Sequence, residues 1–132
     1  MYAIRNHAQE FLETMSNYFY VIIFTSAQKG YADKIIDVLD PQNRFIQDRL
    51  YRQNCYNCFA NTPGATQTLA EQDPSLPSTI IYPYVKDLRI INKPLSEILL
   101  VDNSICTYYF QMNNGVPIIP FEGEQDDELK RL

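Results

Sequence analysis

The sequence is poor in the residues that build disulfide frameworks and zinc sites, because its 132 residues include three cysteines, one histidine and no tryptophan. An odd number of cysteines argues against a framework of paired disulfides, so we expect a reducing compartment, nuclear or cytoplasmic. Cys55 and Cys58 form a lone Cys-x-x-Cys pair, and only the distant Cys106 and His7 remain to complete four zinc ligands. We therefore expect neither a zinc site nor a redox-active cysteine pair.

Long apolar runs and basic runs are also absent. A run of about 18 apolar residues is needed to cross a membrane, and the chain has none. The N-terminal residues lack the apolar stretch of a signal peptide. The formal net charge is −5, and the 11 lysines and arginines form no basic cluster. The sequence thus predicts no membrane span and no nucleic-acid partner, and it leaves the oligomeric state open.

Apolar residues, 45% of the chain, form two stripes with helical spacing that alternate with compact apolar runs. The stripes are Ala8, Phe11, Leu12 and Met15, then Ala32, Ile35, Ile36 and Leu39. The runs YFYVIIFT (18–25) and ILLV (98–101) predict buried strands, the first buried on both faces, and RFIQDRLYR (44–52) predicts a short strand. This alternation predicts one α/β domain over 1–132, with a parallel sheet covered by helices on both faces.

The segment 55–83 differs from the rest of the chain in composition. It is rich in Asn, Thr, Pro, Ser and Gln, and its apolar residues show no sustained period. Such a segment predicts a long loop or a small insertion within the domain, with one edge strand at 78–82. Loops of this length inside a compact domain are usually functional or disordered.

Polar side chains follow three of the predicted strands. Thr25 and Ser26 precede a helix, where hydroxyls and free N–H groups bind phosphate, although Thr25 could equally cap that helix. Lys86 could neutralise the charge of a phosphate or lie on the surface as a solvated lysine. Asp102 and Asn103 could supply oxygen ligands to Mg²⁺ or form an Asx-turn that ends the strand. The carboxyl ends of parallel strands meet at one edge of a sheet, which predicts a site there.

Four segments in this order resemble a known family: RNHAQEFLETMSNYFYVIIFTSAQKGYADKIIDVLDP, RFIQDRLYRQNC, YVKDLRIINKPLSEILLVDNS and FQMNNGVPIIPFEGEQDDELKRL. They are similar to the haloacid-dehalogenase-like (HAD-like) phosphatases of the RNA polymerase II C-terminal-domain (CTD) type. Within that group they resemble the small CTD phosphatases, also called NLI-interacting-factor-like, and the Dullard-like relatives, which share the FCP-homology domain. Lys86 and Asp102 are sixteen residues apart, which fits the family's usual spacing.

The resemblance implies a HAD-like Rossmannoid sheet and a Mg²⁺-dependent phosphatase that acts on phosphoserine or phosphothreonine in peptides and proteins. By this resemblance Thr25, Lys86 and Asp102 are catalytic residues, and Thr25, Ser26 and Lys86 bind phosphate. Asn103 is the expected side-chain ligand of Mg²⁺, and Asp102 orients Lys86 and a metal-bound water.

One motif of the family is absent from this sequence. The family's first motif, Asp-x-Asp-x-Thr, carries the aspartate nucleophile and a second aspartate that works as general acid and base, and the chain contains no Asp-x-Asp. The resemblance therefore implies that the central strand is missing, that Mg²⁺ binds weakly and that the chain as given is catalytically inactive. We expect a fragment of a longer gene product; a divergent remnant and a piece completed by another chain are the alternatives.

Two non-enzymatic functions remain open alternatives. The import-receptor subunit of the mitochondrial inner-membrane translocase shares this domain without relying on phosphatase chemistry, and that alternative would place the chain at the mitochondrial inner membrane. A pseudophosphatase that binds phosphopeptides without cleaving them fits the presence of Thr25 and Lys86. Against the import receptor, the sequence VDNS (101–104) keeps the enzymatic form of the family's fourth motif.

Overall fold

Helices and strands alternate along the chain in a computed structural model that describes residues 3–58 and 84–132. The α-helices are α1 (Ala8–Ser16), α2 (Lys29–Leu39) and α3 (Glu128–Arg131). The strands are β1 (Ile22–Phe24), β2 (Asp48–Leu50), β3 (Tyr56–Asn57), β4 (Tyr84–Val85), β5 (Leu100–Asp102) and β6 (Gly115–Pro117). Short 3-10 helices lie at Arg52–Asn54, Leu88–Ile91, Leu95–Glu97 and Ile105–Asn114. The order confirms the predicted α/β class.

The chain divides into two compact units, of which the first comprises the described residues of 1–53 and 118–132. In this unit β1 and β2 pair in parallel, with Ile22 opposite Asp48 and Phe24 opposite Leu50. Helix α2 connects the two strands, as a parallel pair requires. The strand predicted within 44–52 is therefore confirmed as β2.

The core of the first unit is built from the two predicted helical stripes. Leu12 of α1 and Ala32 and Ile36 of α2 are buried together with Ile46 and Tyr51. In each helix the apolar residues three and four positions apart share one face. That face is buried at Leu12, Ala32 and Ile36 and half-buried at the other positions of the two stripes. The periodicity in the sequence therefore located both helices and their inward sides.

The prediction that residues 18–25 form a strand buried on both faces is wrong for the first half of the segment, and the strand in the second half is only half-buried. Tyr18 and Tyr20 are 76% and 70% exposed. The backbone N–H groups of Tyr18 and Phe19 donate to the carbonyl of Met15, so the chain is still turning after α1 and cannot extend. The strand starts only at Ile22.

A buried carboxylate ends α2 and shapes the connection to β2. Asp40 is 1% exposed. Its two oxygens accept hydrogen bonds from the backbone N–H groups of Arg44, Phe45 and Ile46, at 2.8, 2.9 and 2.9 Å. Because a buried carboxylate must be paired or hydrogen-bonded, this side chain fixes the loop that leads into β2.

The second unit comprises the described residues of 54–117. Strands β5 and β6 pair in parallel, and β3 and β4 pair antiparallel. Val85, Leu88 and Tyr108 are its buried apolar residues. The predicted strand at 98–101 is confirmed as β5, but its predicted burial is wrong, since Leu99 and Val101 are 64% and 41% exposed. These two alternate residues share one side of the strand, and no described element covers that side.

Gly115 opens β6 where the chain passes close to a buried ring. A Cβ atom at this position would lie 2.2 Å from Cδ2 of Tyr108, which is 3% exposed. We predict that Gly115→Ala lowers the free energy of unfolding by about 1–3 kcal/mol through overpacking, measured by urea denaturation. Gly30→Ala on α2 is the control: nothing lies within 4 Å of its Cβ, so no loss is expected. Equal midpoints for Gly115→Ala and the wild type would contradict the prediction.

Part of the predicted insertion lies outside the described residues. Residues 59–83, which include the predicted edge strand at 78–82, are not among the described residues. The beginning of the segment is not loop, because Tyr56 and Asn57 form β3 and pair with Val85 and Tyr84. The prediction of a loop is therefore wrong at the start of the segment, and that of a small insertion over 55–83 remains a prediction.

Each parallel sheet has two strands within the described ranges, β1 with β2 and β5 with β6. A single continuous sheet was predicted, with a central strand that the resemblance implies is missing from this chain, and both remain predictions. Among the helices that the structure describes, none is both long and apolar enough to cross a bilayer.

Candidate functional site

Lys86 and Asp102, predicted from separate segments, meet in the second unit. Lys86 directly follows β4 and Asp102 is the last residue of β5. The Nζ atom of Lys86 donates to Oδ2 of Asp102 at 2.5 Å, and the two side chains are 10% and 7% exposed. The alternative of a solvated surface lysine is therefore wrong. A buried ion pair persists only when further hydrogen bonds satisfy its remaining atoms.

The second carboxylate oxygen of Asp102 has its own partner. Oδ1 accepts a hydrogen bond from the backbone N–H of Ser104 at 2.9 Å. This is the Asx-turn that the sequence offered as the alternative to a ligand role. One oxygen of Asp102 thus turns the chain while the other accepts a hydrogen bond from the ammonium group of Lys86. The ligand role of Asp102 remains a prediction.

A second carboxylate secures the backbone directly after Lys86. Asp87 accepts hydrogen bonds from the backbone and side chain of Arg89 and from Nε2 of Gln111. The pKa of Asp87 is lowered to about 2, mainly by the hydrogen bond from the side chain of Arg89. Burial opposes this shift, and the hydrogen bond from Gln111 adds to it. Gln111 also accepts the N–H of Leu88 at 3.0 Å. The residues that follow the lysine are thus held at several points.

Two buried polar residues of the segment Ile105–Asn114 were missed by the reasoning from sequence. The carbonyl of Thr107 accepts the backbone N–H of Lys86 at 2.7 Å, and Thr107 is 1% exposed. Gln111, 8% exposed, bonds the two residues after the lysine. The positions of Thr107 and Gln111 in the sequence follow no helical repeat that would have predicted their burial, because the helical geometry of the segment is broken at Tyr108 and Gln111.

Thr25 and Ser26 lie in the first unit, at the end of β1. The N–H of Thr25 donates to the carbonyl of Leu50 at 2.9 Å, which extends the ladder between β1 and β2. Its Oγ1 accepts the N–H of Ala27 at 3.0 Å, and the residue before α2 is Gln28, so Thr25 turns the chain and does not cap the helix. The predicted position of Thr25 at the end of a strand is confirmed. That Thr25 and Lys86 bind the same phosphate remains a prediction.

The oxygen donors predicted for Mg²⁺ are Asp102 and its neighbour Asn103, whose side chain is exposed. Oxygen ligands are the kind that this hard cation takes. Within 3–58 and 84–132, no three His, Cys, Asp or Glu residues group closely enough to hold a metal. Both oxygens of Asp102 already accept hydrogen bonds. The donors therefore fit Mg²⁺ in chemistry, but phosphate and water would have to supply most of its shell. Cys55, Cys58 and Cys106 are thiols without disulfide bonds.

Comparisons with known proteins agree with the resemblance seen in the sequence. The family model described as NLI interacting factor-like phosphatase matches residues 1–132. The chain is 34% identical over 130 residues to CTD small phosphatase-like protein 3 of Caenorhabditis elegans, covering 98% of this chain and 38% of that protein. It is 28% identical over 130 residues to the mitochondrial import inner membrane translocase subunit TIM50 of Candida glabrata, covering 98% and 22%.

Among solved structures, the chain resembles Fcp1, an essential RNA polymerase II CTD phosphatase. The TM-score is 0.62 at 21% identity, covering 95% of this chain and 29% of that chain. This likeness shows the HAD-like α/β fold. The chain spans less than half the length of each of these relatives. Because the family model matches every residue, the chain belongs to the NLI interacting factor-like phosphatase family.

Proposed function

We propose that this chain binds the phosphate group of phosphoserine or phosphothreonine peptides through Lys86, as part of a domain of the protein phosphatase type. The observation that carries the proposal is the buried pair of Lys86 and Asp102, 2.5 Å apart at the ends of β4 and β5. Buried lysines are costly, and a pair placed at strand ends in a phosphatase family supports a role in binding an anion.

In this proposal, each residue of the site has its own role in binding the phosphate or Mg²⁺. The ammonium group of Lys86 has three donors, of which one is held by Asp102, and a phosphate oxygen takes another. Thr25 and Ser26, which follow β1 in the first unit, are phosphate-binding residues in this proposal because the resemblance to the family assigns them that role. Asn103 and Asp102 would hold Mg²⁺, which neutralises phosphate charge when bound. HAD-like phosphatases generally use this ion.

These 132 residues do not supply the nucleophile that phosphoryl transfer requires. The reaction needs a carboxylate aligned with the leaving oxygen, and the sequence has no Asp-x-Asp. Asp102 is a poor substitute, because both its oxygens are already engaged by Lys86 and Ser104. We propose that the 132 residues alone bind phosphate without turning it over.

The enzymatic side of the proposal is tested with p-nitrophenyl phosphate and Mg²⁺. We expect the 132-residue chain to release p-nitrophenol no faster than buffer. Turnover that disappears in the Asp102→Ala variant would show that the chain carries a nucleophile that the sequence motif does not reveal.

The binding side is tested by titrating a phosphoserine peptide. Lys86→Met should weaken binding by about tenfold or more, since a charge-assisted hydrogen bond contributes roughly 1.5–3 kcal/mol. Lys93→Met, at an exposed lysine of the same unit, is the matched control and should bind as the wild type does. Equal affinities for all three proteins would rule out Lys86 as the phosphate-binding residue.

The unphosphorylated form of the peptide separates the alternatives. The likeness to the Candida glabrata translocase subunit and the absence of Asp-x-Asp favour a non-enzymatic binding module as the second candidate. Equal binding of both peptide forms would support a module of the import-receptor type. Binding of the phosphorylated form alone, without turnover, would support phosphopeptide recognition.

A further inference from the structure

We propose that Thr107 is a positioning residue for Lys86: its hydroxyl fixes the turn that holds the lysine against Asp102, so that the ammonium group is already in place when a phosphate binds. This inference rests on the proposed phosphate-binding role of Lys86. It concerns a residue of the segment Ile105–Asn114, which lies outside the strand ends on which the site was predicted.

The geometry is a closed ring of hydrogen bonds within the second unit. The backbone N–H of Lys86 donates to the carbonyl of Thr107 at 2.7 Å. The Oγ1 of Thr107 donates to the carbonyl of Ser104 at 2.7 Å, and its N–H donates to the same carbonyl at 3.1 Å. The N–H of Ser104 donates to Asp102, which accepts from Nζ of Lys86. Both ends of the lysine, backbone and ammonium, are therefore attached to one turn.

The burial of Thr107 makes its hydroxyl a specific part of this ring. The residue is 1% exposed, whereas Ser104, which accepts its hydrogen bond, is half-buried. Two donors of Thr107 converge on the carbonyl of Ser104, and the loss of one loosens the turn that presents Asp102. Without the hydroxyl the carbonyl of Ser104 keeps only the longer bond from the N–H of Thr107, at 3.1 Å, so the turn is held at one point where the wild type has two.

Fixing the lysine in advance matters for binding. A lysine side chain loses much rotamer freedom when it is held in one position, and a site that has already lost it binds its ligand more tightly. Loosening the ring should therefore weaken phosphate binding although Thr107 does not touch the phosphate.

The test compares three substitutions in the 132-residue chain. Thr107→Val removes the hydroxyl and keeps the shape, and Thr107→Ser restores the hydroxyl. Ser104→Ala is the matched control, because Ser104 enters the ring only through its backbone N–H and carbonyl. If Thr107→Val does not fold, Thr107→Ala takes its place, and its comparison with Thr107→Ser isolates the hydroxyl, because both variants lack the methyl group.

The first readout is the scalar coupling across the hydrogen bond between Nζ of Lys86 and the carboxylate carbon of Asp102, measured by NMR. The second is the affinity for inorganic phosphate, followed by chemical-shift titration. Thr107→Val should lose the coupling and bind phosphate roughly threefold to tenfold more weakly, the range of one net hydrogen bond. Thr107→Ser and Ser104→Ala should match the wild type in both.

Two outcomes would overturn the inference. One is a Thr107→Val protein with a lower Tm but an unchanged coupling and affinity, which would make the role of the hydroxyl purely structural. The other is an equal loss in Thr107→Ser, which would assign the effect to packing of the methyl group. If the wild type binds phosphate no better than Lys86→Met, the proposed function fails, and the coupling alone then decides whether Thr107 positions the lysine.

Discussion

The Asp102→Ala variant should lose about 3–5 kcal/mol of unfolding free energy, the range seen when one partner of a buried ion pair is removed. The substitution leaves the ammonium group of Lys86 buried beside an empty space, since its side chain is 10% exposed. It also removes the acceptor for the N–H of Ser104. Urea denaturation at neutral pH, followed by circular dichroism, measures the loss.

A double variant separates the cost of a stranded charge from the value of the pair. Lys86→Met combined with Asp102→Leu replaces both charges by apolar groups, and such exchanges are often neutral or stabilising. We expect the double variant to regain most of the stability and to bind no phosphate. A double variant as unstable as Asp102→Ala would contradict this account, since it would mean that the ion pair or the bond from the N–H of Ser104 to Asp102 stabilises the unit. The pair would then serve the fold more than the binding site.

Replacing Asp40 by Ala should lower the free energy of unfolding by about 3 kcal/mol, because it deprives buried backbone donors of their acceptor at a cost of roughly 1–3 kcal/mol each where water cannot reach. The N–H of Ile46 is fully buried, whereas those of Arg44 and Phe45 are partly buried. Urea denaturation at pH 7 measures the change. Asp37→Asn, on an exposed position of the same helix, is the control and should shift the stability little.

The same carboxylate makes part of the stability depend on pH. Burial raises the pKa of Asp40, but the N–H groups of Ile46, Phe45 and Arg44 outweigh it, so the folded pKa lies below the usual value. A carboxyl with a lowered folded pKa contributes stability that is present above the unfolded pKa of about 4 and is lost as the pH falls through the folded pKa. The wild type should therefore lose stability in acid. In Asp40→Asn that part of the pH dependence should be missing, and identical acid profiles would contradict the assignment.

Local patterns in the sequence predicted most of the regular structure. The stripes that contain Leu12 and Ile36 located α1 and α2, because a buried helical face repeats every three to four residues. Apolar runs located β1 and β5. The burial of those strands was overestimated, because burial depends on what covers a strand, and Leu99 and Val101 show that an apolar run does not report this.

The candidate site was predictable in part. Lys86 and Asp102 were paired in advance only through the family's spacing, and the structure shows the contact between them. Thr25 was correctly placed at a strand end, and its turn with Ala27 replaced the predicted helix cap. The role of Thr107 could not be predicted from the sequence. It consists of hydrogen bonds from the backbone and the hydroxyl, and the turn that Thr107 occupies sets their partners.

By itself, the amino-acid sequence determined the alternation of helices and strands, the family, and the lack of an Asp-x-Asp pair, because periodicity and motifs are properties of neighbouring residues. Only the tertiary structure decided that Asp40 and Asp102 are buried and which donors satisfy them. Those partners are set by how separate segments pack, and a carboxylate in a sequence looks the same whether water or backbone N–H groups surround it.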